Sequence, residues 1–377
     1  MELKVCTTCV MDESDSMIQF DANGVCDHCL NFRTNIAPNW HTGDKGEAYL
    51  SRVADRVRKD RADREFDCII GISGGLDSSY TAYIAKELMG LRPLLFHVDA
   101  GWNTDQAVSN IEKLVNGLDL DLYTEVINWK EMRSLQVAFL KSQIADQDLP
   151  QDIAFFSALY KFARKNNIKY VFTGGNFSTE CCREPDEWGA FPGVDKTLVN
   201  SIQKMFGSTE LKTFPIVDAL VYKIFYHGIL GMKVIKPLNH VKFLKADAEK
   251  LLADKYGWQP FKHKHHESRF TRFYEDYWMP RKFGYEKRKA HFSSLIMTGQ
   301  MSRAEALERL KSPEVDEGTM ALEFDFVAHK LGLTVAELQS LFEGQNKSFQ
   351  DYKSKYKVFS AGAKILNLIG LERRQYR

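Results

Sequence analysis

A short glycine- and serine-rich run constrains this chain more than any other feature, and it comprises Ser73, Gly74, Gly75, Leu76, Asp77, Ser78 and Ser79. An apolar stretch at 68–72 precedes it, and a segment with helical spacing at 80–89 follows it. Paired glycines after a strand let the backbone approach an oxyanion closely, and the start of the next helix offers unpaired N–H groups. The run therefore predicts a phosphate-binding loop between a strand and a helix, with an ordinary glycine turn as the alternative.

Further apolar stretches predict strands at 93–98, 122–127, 168–172 and 232–235. Segments with helical spacing lie between and around them, at 47–64, 105–118, 153–166 and 245–256. This alternation predicts an α/β fold with a doubly wound parallel sheet, in which ligands bind at the carboxyl ends of the strands. We expect the residues that end three of these strands to border a nucleotide: Val98 and Asp99, then Thr173, Gly174 and Gly175, and finally Lys236.

The run at 73–79 resembles the PP-loop, Ser-Gly-Gly-x-Asp-Ser, of the ATP pyrophosphatase superfamily. It is not a Walker loop, because no lysine lies within it. The resemblance implies that ATP is cleaved between its α and β phosphates and that AMP is left on a substrate oxygen. Asp77 is the natural carboxylate for Mg²⁺, since it lies inside the loop. Lys236 could neutralise the pyrophosphate, although an exposed lysine beside a proline turn would look the same.

Four of the seven cysteines form two C-x-x-C pairs, Cys6 with Cys9 and Cys26 with Cys29. Each pair puts two thiolates on one side of a tight turn, and two such turns complete a tetrahedral site. Because sulfur would fill all four positions, we expect a structural Zn²⁺. A redox dithiol or an iron–sulfur cluster is the alternative. His28, inside the second pair, is expected to be a solvated turn residue.

The composition is that of an ordinary enzyme, with a net charge of +1 over 377 residues. Such a balance argues against a chain coated with nucleic acid. The N-terminus has no apolar signal region, and no run of about 18 apolar residues occurs. We therefore expect a cytoplasmic protein without membrane insertion and without a nucleic-acid partner. The cysteine usage fits a reducing compartment.

Cations, imidazoles and aromatic rings crowd the stretch 263–274, and more lysines and arginines follow at 281–289. A packed core rarely tolerates such a mixture. The stretch predicts either a solvated basic face or a site for an acidic substrate, and a metal site at His263, His265 and His266 is a third alternative. Capping boxes at 302–305 and 334–337 predict helices. The final segment is expected to be basic and exposed.

Over nearly its full length the sequence resembles the N-acetyl sugar amidotransferase family of PP-loop enzymes. The residues that carry the resemblance lie at 6–12, 73–79, 173–176, 266–273 and 282–291. It implies that an acetamido group on a UDP-linked diacetamido uronic acid becomes an acetamidino group, for lipopolysaccharide O-antigen biosynthesis. Related members act on nonulosonic acids that decorate flagellin, so a nonulosonic acid is the alternative substrate.

Under this resemblance the cofactors are ATP and Mg²⁺, and the catalytic candidates are Asp77, Ser73, Lys236 and Arg269. The residues assigned to the substrate are Asn176, Glu180, His266, Glu267, Arg269 and Arg272. The sequence has no glutaminase signature, because position 2 is Glu2 and no cysteine lies in a Gly-x-Cys-x-Gly elbow. The family receives ammonia from a two-protein partner similar to the glutaminase and cyclase subunits of imidazole glycerol phosphate synthase.

Two adjacent cysteines, Cys181 and Cys182, motivate a rival function, since the second one departs from the family pattern. Some tRNA thiolases pair a zinc knuckle with a PP-loop and catalytic cysteines, so either thiol could carry sulfur. The plainer alternative is a pair of ordinary thiols, one of them buried. A zinc-ribbon scaffold with a degenerate loop is a non-catalytic alternative. We divide the chain into a zinc-knuckle module with its linker at 1–46, a PP-loop domain at 47–256, and a basic, helical substrate or partner region at 257–377.

Overall fold

One parallel sheet organises the molecule, in a computed structural model that describes residues 3–189, 195–358 and 361. Its strands are β1 (Cys68–Gly71), β2 (Pro93–Asp99), β3 (Leu122–Val126), β4 (Tyr170–Phe172) and β5 (Lys233–Ile235). Their order across the sheet is β3-β2-β1-β4-β5, and each neighbouring pair is parallel. The predicted α/β class with a doubly wound parallel sheet is confirmed.

Helices cover both faces of the sheet and form the C-terminal part of the chain. The α-helices are α1 (Asp27–Asn31), α2 (Asp44–Asp60), α3 (Leu76–Tyr83), α4 (Asp105–Leu118), α5 (Trp129–Ser142), α6 (Leu149–Lys165), α7 (Phe177–Glu180), α8 (Lys196–Phe206), α9 (Lys245–Tyr256), α10 (Arg269–Phe273), α11 (Met279–Phe283), α12 (Arg288–Met297), α13 (Arg303–Leu310), α14 (Glu317–Leu331) and α15 (Val335–Glu343). Wider π-helical turns lie at Phe32–Ile36, Ile84–Leu88, Val221–Ile229 and Tyr274–Trp278. Short 3₁₀ turns lie at Ala37–Asn39, Asp186–Trp188, Pro237–His240 and Phe349–Asp351.

Alternate residues of the inner strands face opposite helical layers, as the two-residue period of a strand requires. Ile69 and Val171 pack into a core shared with α5, α6, α10 and α14. Ile70 and Phe172 pack into a second core with α2, α3, α4 and α9. Because β1, β2 and β4 are covered on both faces, their sequences are nearly continuous apolar runs. This is why the inner strands were readable from the sequence.

The strand order reverses beside β1, since β2 lies on one side of it and β4 on the other. In open parallel sheets, ligands bind at the carboxyl ends of the strands that flank such a reversal. The predicted phosphate-binding loop at 73–79 follows β1, and the second glycine pair, Gly174 and Gly175, follows β4. The topology therefore brings the two glycine pairs to the same edge of the sheet.

The N-terminal segment packs against the main body, since its four paired cysteines belong to the same core as β1. The stretch 35–46 is the linker part of the region 1–46, and it contains helical turns up to Asn39, while α2 already begins at Asp44. Trp40 lies between them and packs edge-on against Phe32 and Phe177. These ring contacts hold the stretch against α7.

The prediction for His28 was wrong, because this residue is buried and not solvated. The second C-x-x-C pair forms the short helix α1, and the side chain of His28 is 9% exposed. Its Nε2 lies 2.9 Å from the carboxylate of Asp15, which is buried as well. A helical knuckle turns the residue between its cysteines toward the protein, where an acidic partner satisfies the ring.

Two helix predictions agree with the structure at both ends, namely those for α4 and α9. The reciprocal capping box between Thr334 and Glu337 is present, and Ser302 accepts a hydrogen bond from the backbone N–H of Glu305. The final basic segment, predicted to be exposed, lies largely outside the described residues. Within the described residues, every helix is too short or too polar to cross a membrane.

Candidate functional site

The predicted phosphate-binding loop at 73–79 packs against helix α4 and the segment after α9. Gly74 has φ of +83°, and a Cβ there would lie 2.4 Å from the carbonyl oxygen of Ala107. The carbonyl of Gly74 accepts hydrogen bonds from Trp258 Nε1 at 3.1 Å and from Asn110 Nδ2 at 3.2 Å. Because only glycine combines this backbone angle with this close approach, the loop is fixed in shape before any ligand binds.

Two of the three serine hydroxyls line the mouth of the loop. Ser73 Oγ lies 3.3 Å from Ser78 Oγ and accepts the backbone N–H of Gly75 at 3.2 Å. Ser79 differs, because its side chain is fully buried at the start of α3 and its Oγ has no hydrogen-bond partner among the described residues. Ser73 and Ser78 are therefore the hydroxyls available to a phosphate, while Ser79 lies beneath them.

Asp77 lies where the two glycine pairs meet. A Cβ on Gly174 would be 2.9 Å from Cβ of Asp77, so the loop after β4 presses directly against the first turn of α3. Desolvation by burial raises the pKa of Asp77 to about 7, against the charges of Lys264 and His265, which lower it. Nζ of Lys236 would be 3.4 Å from a Cβ on Gly175. The structure thus places Asp77, Lys236 and both glycine pairs around one point.

Glu267 reaches the same loop from the C-terminal part of the chain. Its Oε1 accepts a hydrogen bond from Ser73 Oγ at 3.2 Å and would lie 2.7 Å from a Cβ on Gly75. Its backbone is anchored, since Thr104 N donates to Glu267 O at 3.0 Å and an isolated bridge pairs Asn103 with Ser268. Two carboxylates, Asp77 and Glu267, therefore flank the loop, which is the oxygen-rich setting that Mg²⁺ on a polyphosphate requires.

A cavity of about 340 Å³ lies beside the loop, and α7, α12 and the stretch 262–265 contribute to its walls. Seven lysines and arginines, three histidines and five carboxylates line it. Two residues of its wall affect the pKa of Asp77: the charge of Lys264 lowers it, and the charge of Glu180 raises it. The cavity therefore has an excess of cations and lies within electrostatic reach of the phosphate-binding loop.

Two lysines of this cavity, Lys264 and Lys287, form ion pairs with acids on its wall. Lys264 Nζ donates to Glu180 Oε1 at 2.6 Å, and Lys287 Nζ contacts Glu184 and Glu275 at 3.2 Å each. Burial opposes the charge of Lys264, but Glu180 and Asp77 raise its pKa above the usual range. Neither the solvated basic face nor the histidine metal site describes this stretch. Among the described residues the metal-type cluster is that of the four cysteines.

Some predicted site residues lie elsewhere. Arg269 and Arg272 both pair with Glu323 on α14, at 2.8 and 2.7 Å, and Arg269 stacks on the ring of Phe326. His266 is buried and lies 2.9 Å from Asp276. Val98 faces the core, and Asp99 accepts hydrogen bonds from Gly101 N and Asn103 Nδ2 in its own turn. Asn176 caps α7, and its backbone N–H donates to Glu180, which lines the cavity.

Sequence reasoning assigned no role to the cavity acids Glu184, Glu275 and Glu314. It named His263 only as a possible metal ligand, and Lys264, Lys287 and His291 only as members of longer stretches. The crowding of charges at 263–274 and 281–289 was the available signal for the cations. The carboxylates gave no such signal, because each one meets its cation only through tertiary contacts between separate helices and turns.

The four paired cysteines fit a metal ion. Their sulfurs are buried and lie within 4.8 Å of one another, with Cys9 to Cys26 at 3.5 Å and Cys6 to Cys29 at 4.0 Å. Tetrahedral Zn–S bonds of about 2.3 Å would place the sulfurs about 3.8 Å apart. Hydrogen bonds to Cys26 and Cys6 raise the pKa of Cys29 above its usual range, since adjacent thiolates repel without a cation. The cluster could therefore bind zinc.

This cysteine cluster also supports the cavity wall. The guanidinium of Arg303 on α13 donates to the carbonyl oxygens of Cys6 and Cys9, and Val10 N donates to Ser293 Oγ on α12. On the other side of α12, the backbone N–H of Cys182 donates to Ser294 Oγ at 2.9 Å. Both adjacent cysteines are buried, at 8% and 6% exposure, whereas the plainer alternative for this pair had one of them buried.

Comparison with known protein families gives a match to the C-terminal part of the chain. The family model described as "LPS biosynthesis protein WbpG-like, C-terminal domain" matches residues 267–365. Among solved structures, the chain is similar to an NMN synthetase from Francisella tularensis, at 16% identity and a TM-score of 0.31, over 77% of this chain and 97% of that one. It is also similar to an NH3-dependent NAD synthetase from Campylobacter jejuni, at 13% identity and a TM-score of 0.33, over 80% of this chain and 98% of that one. No curated protein matches the chain. The chain therefore carries a WbpG-like C-terminal domain, whose first residue in the match, Glu267, contacts the phosphate-binding loop.

Proposed function

We propose that this protein is an ATP-dependent, AMP-forming amidotransferase. It adenylylates an acetamido oxygen of a UDP-linked diacetamido uronic acid and replaces that oxygen with ammonia, giving an acetamidino sugar for lipopolysaccharide O-antigen. The observation that carries the proposal is the cation-rich cavity beside the phosphate-binding loop, to which the WbpG-like domain contributes about half of the lining residues. The loop supplies the ATP chemistry, and the cavity supplies the place for an acidic acceptor.

The neutral acetamido group explains why ATP is needed. An amide oxygen is a poor leaving group, whereas AMP is a good one. The backbone N–H groups of the loop, the hydroxyls of Ser73 and Ser78, and Nζ of Lys236 would hold the phosphates and neutralise the charge that develops on pyrophosphate. Asp77 and Glu267 would hold the Mg²⁺ that accompanies ATP, which supplies further charge neutralisation.

The charge of the cavity supports a nucleotide-linked sugar acid. Such a molecule carries about three negative charges at neutral pH, on a diphosphate and a carboxylate. Seven lysines and arginines against five carboxylates leave the cavity with an excess of positive charge. A diphosphate in this cavity would compete with acids such as Glu180 and Glu275 for their paired cations.

Ammonia would come from a separate glutaminase, delivered with the help of a cyclase-like protein. The chain needs such a source because its buried cysteines are poor nucleophiles. Burial raises the pKa of Cys181 to about 12 and also raises that of Cys182, so both remain thiols at neutral pH. The same fact disfavours the tRNA thiolase alternative, in which one of these cysteines would carry sulfur as a thiolate.

Mass spectrometry of the acceptor tests this function. The purified protein is incubated with ATP, Mg²⁺, ammonium and a UDP-linked diacetamido uronic acid, and in parallel with a nonulosonic acid. The expected product is lighter than the sugar by the difference between O and NH, and AMP and pyrophosphate appear in equal amounts. Release of ADP and phosphate would overturn the mechanism. Conversion of the nonulosonic acid alone would move the function to flagellin glycosylation.

A further inference from the structure

One histidine of the cavity combines a fixed ring with an unused nitrogen. His263 lines the cavity, and its Nδ1 lies 2.7 Å from Oε2 of Glu314. Its Nε2 is buried and has no hydrogen-bond partner among the described residues. A carboxylate on one ring nitrogen holds the proton there and leaves the other nitrogen as a proton acceptor. This is the arrangement of a general base with its orienting acid.

Glu314 is well placed to keep that orientation. Its other oxygen, Oε1, lies 3.0 Å from Arg309 and 3.3 Å from Arg288, so two guanidinium groups hold the carboxylate in place. Burial opposes its charge, but the hydrogen bond from His263 and the charge of Arg309 lower the pKa of Glu314 to about 2. The carboxylate therefore stays ionised, and the His263 ring is fixed between it and His266, whose ring centroid is 4.9 Å away and whose Nε2 is bound to Asp276.

The other two imidazoles of the cavity are less suited to accept a proton. Burial opposes the charge of His265, but Glu275 at 3.1 Å raises the pKa of His265 to about 9, so this ring already carries its proton at neutral pH. Burial and the charge of Lys264 lower the pKa of His291 well below the usual range, which makes it a weak base. His263 is therefore the histidine of the cavity that is suited to accept a proton.

We propose that His263 is the general base that takes a proton from ammonia as it attacks the activated acetamido carbon. This inference rests on the proposed function. In that step a C–N bond forms, and the C–O bond to AMP breaks, with the oxygen leaving on AMP. The product is an amidinium, which keeps two of the three hydrogens of ammonia. The third leaves as a proton, and Nε2 of His263 accepts it.

The test separates the two half-reactions. Exchange of labelled pyrophosphate into ATP, measured with the UDP-linked diacetamido uronic acid and without ammonium, reports adenylylation. Amidine formation, measured by mass spectrometry with ammonium, reports the attack. His263→Gln keeps a side chain that can bond Glu314 but is not a base. We expect it to lose amidine formation by about 100-fold, while exchange stays within about twofold and AMP is released without amidine by slow hydrolysis.

A matched control and a second variant keep the outcome clear. His329→Gln removes a histidine that also pairs with a carboxylate, Asp325, but on the exposed face of α14, and it should change neither rate. His263→Ala with added imidazole should recover amidine formation.

Equal loss of exchange and amidine in His263→Gln, with no imidazole recovery in His263→Ala, would assign His263 to packing and overturn the inference. If the wild type exchanges pyrophosphate but His263→Gln forms amidine normally, the base lies elsewhere. If the wild type forms no amidine at all, the proposed function fails and the inference fails with it.

Discussion

Two carboxylates, Asp77 and Glu267, face the place where a polyphosphate would add several negative charges. Neither is balanced by a direct ion pair to a lysine or arginine in the described contacts, whereas Glu180 and Glu275 nearby are. A carboxylate in such a position helps ATP binding when a cation lies between it and the phosphates, and opposes binding otherwise. Metal dependence and pH dependence at these two residues therefore distinguish a nucleotide site from a simple turn.

Asp77→Asn should stabilise the metal-free protein while abolishing AMP formation. Desolvation raises the pKa of Asp77 from 3.8 to about 7. The folded protein thus holds this proton more tightly than the unfolded chain, so the stability gained by protonation is full below the unfolded pKa and is lost as the pH rises through the folded pKa. We expect the melting temperature of Asp77→Asn to equal that of the wild type near pH 4 and to exceed it near pH 8 by a few degrees.

The matched control for this prediction is Asp254→Asn, which changes an exposed carboxylate on α9. Its melting temperature should follow that of the wild type at both pH values. A difference between Asp77→Asn and wild type that does not grow with pH would contradict the assignment of a desolvated carboxyl group at this position.

Glu267→Gln should reverse the metal preference of nucleotide binding. The glutamine keeps a hydrogen-bond acceptor near Ser73 but removes the negative charge 3.2 Å from its hydroxyl. We expect calorimetric titration to show weaker binding of ATP with Mg²⁺ and tighter binding without it, each by about tenfold or ~1.4 kcal/mol. Gln259→Ala is a neighbouring control, because the backbone carbonyl and N–H of Gln259 form the hydrogen bonds to Asn110 on α4 and the substitution keeps them. Parallel losses with and without Mg²⁺ would mean that Glu267 shapes the loop and does not meet a cation.

At the scale of elements, the geometry of the site is set by the contact between the loop after β4 and the loop that leads into α3. The loop after β4 and the first turn of α3 approach so closely that the site accepts no side chain at Gly174. The sequence predicted each glycine pair separately, because strand, glycine and helix signals are local. Their mutual distance is a property of the strand order, which places β4 beside β1 although about 100 residues separate them in the chain.

Gly174→Ala should weaken ATP binding by displacing Asp77. The added Cβ would lie 2.8 Å from the carbonyl carbon of Asp77 and 2.9 Å from its Cβ, so the first turn of α3 must shift. Overpacking of this kind costs about 1–3 kcal/mol of stability, and a displaced loop should lower ATP affinity by at least about tenfold. Thermal unfolding and ATP titration measure the two effects. Gly43→Ala, where a Cβ meets open space, should leave both unchanged. Normal ATP affinity in Gly174→Ala would mean that the nucleotide does not use this turn.

At the scale of the whole molecule, three distant parts of the chain form one cavity. Helix α7 follows β4, the stretch 262–265 follows α9, and α12 belongs to the WbpG-like domain. The cysteine cluster contacts α12 and α13 through Ser293 and Arg303. Lys289 on α12 also pairs with Asp12 of the N-terminal segment. The cysteine cluster thus supports the helices that line the cavity, and we expect a change in the cluster to alter the cavity.

Cys26→Ser should lose bound zinc and disturb the cavity. One sulfur fewer leaves the site with three ligands, and structural zinc contributes directly to folding. We expect metal analysis to fall from one zinc per chain to well below one, with a lower melting temperature and weaker binding of a UDP-linked sugar. Cys181→Ser is the matched control, since this cysteine is buried but lies outside the cluster. Full zinc content in Cys26→Ser would remove Cys26 from the ligand set.

The local signals of the sequence determined the strands, most helices, the glycine-rich loop at 73–79 and the two cysteine pairs. Each of these depends on neighbours within a few residues, namely apolar periodicity, glycine freedom, helix caps and C-x-x-C spacing. The tertiary structure alone decided that His28 is buried, that Arg269 and Arg272 share Glu323, and that His263 and Glu314 form a pair in a cavity beside Asp77. The physical reason is that a buried charge requires a partner, and the partner of a charge is set by which helices pack together, which the residues next to it in sequence do not specify.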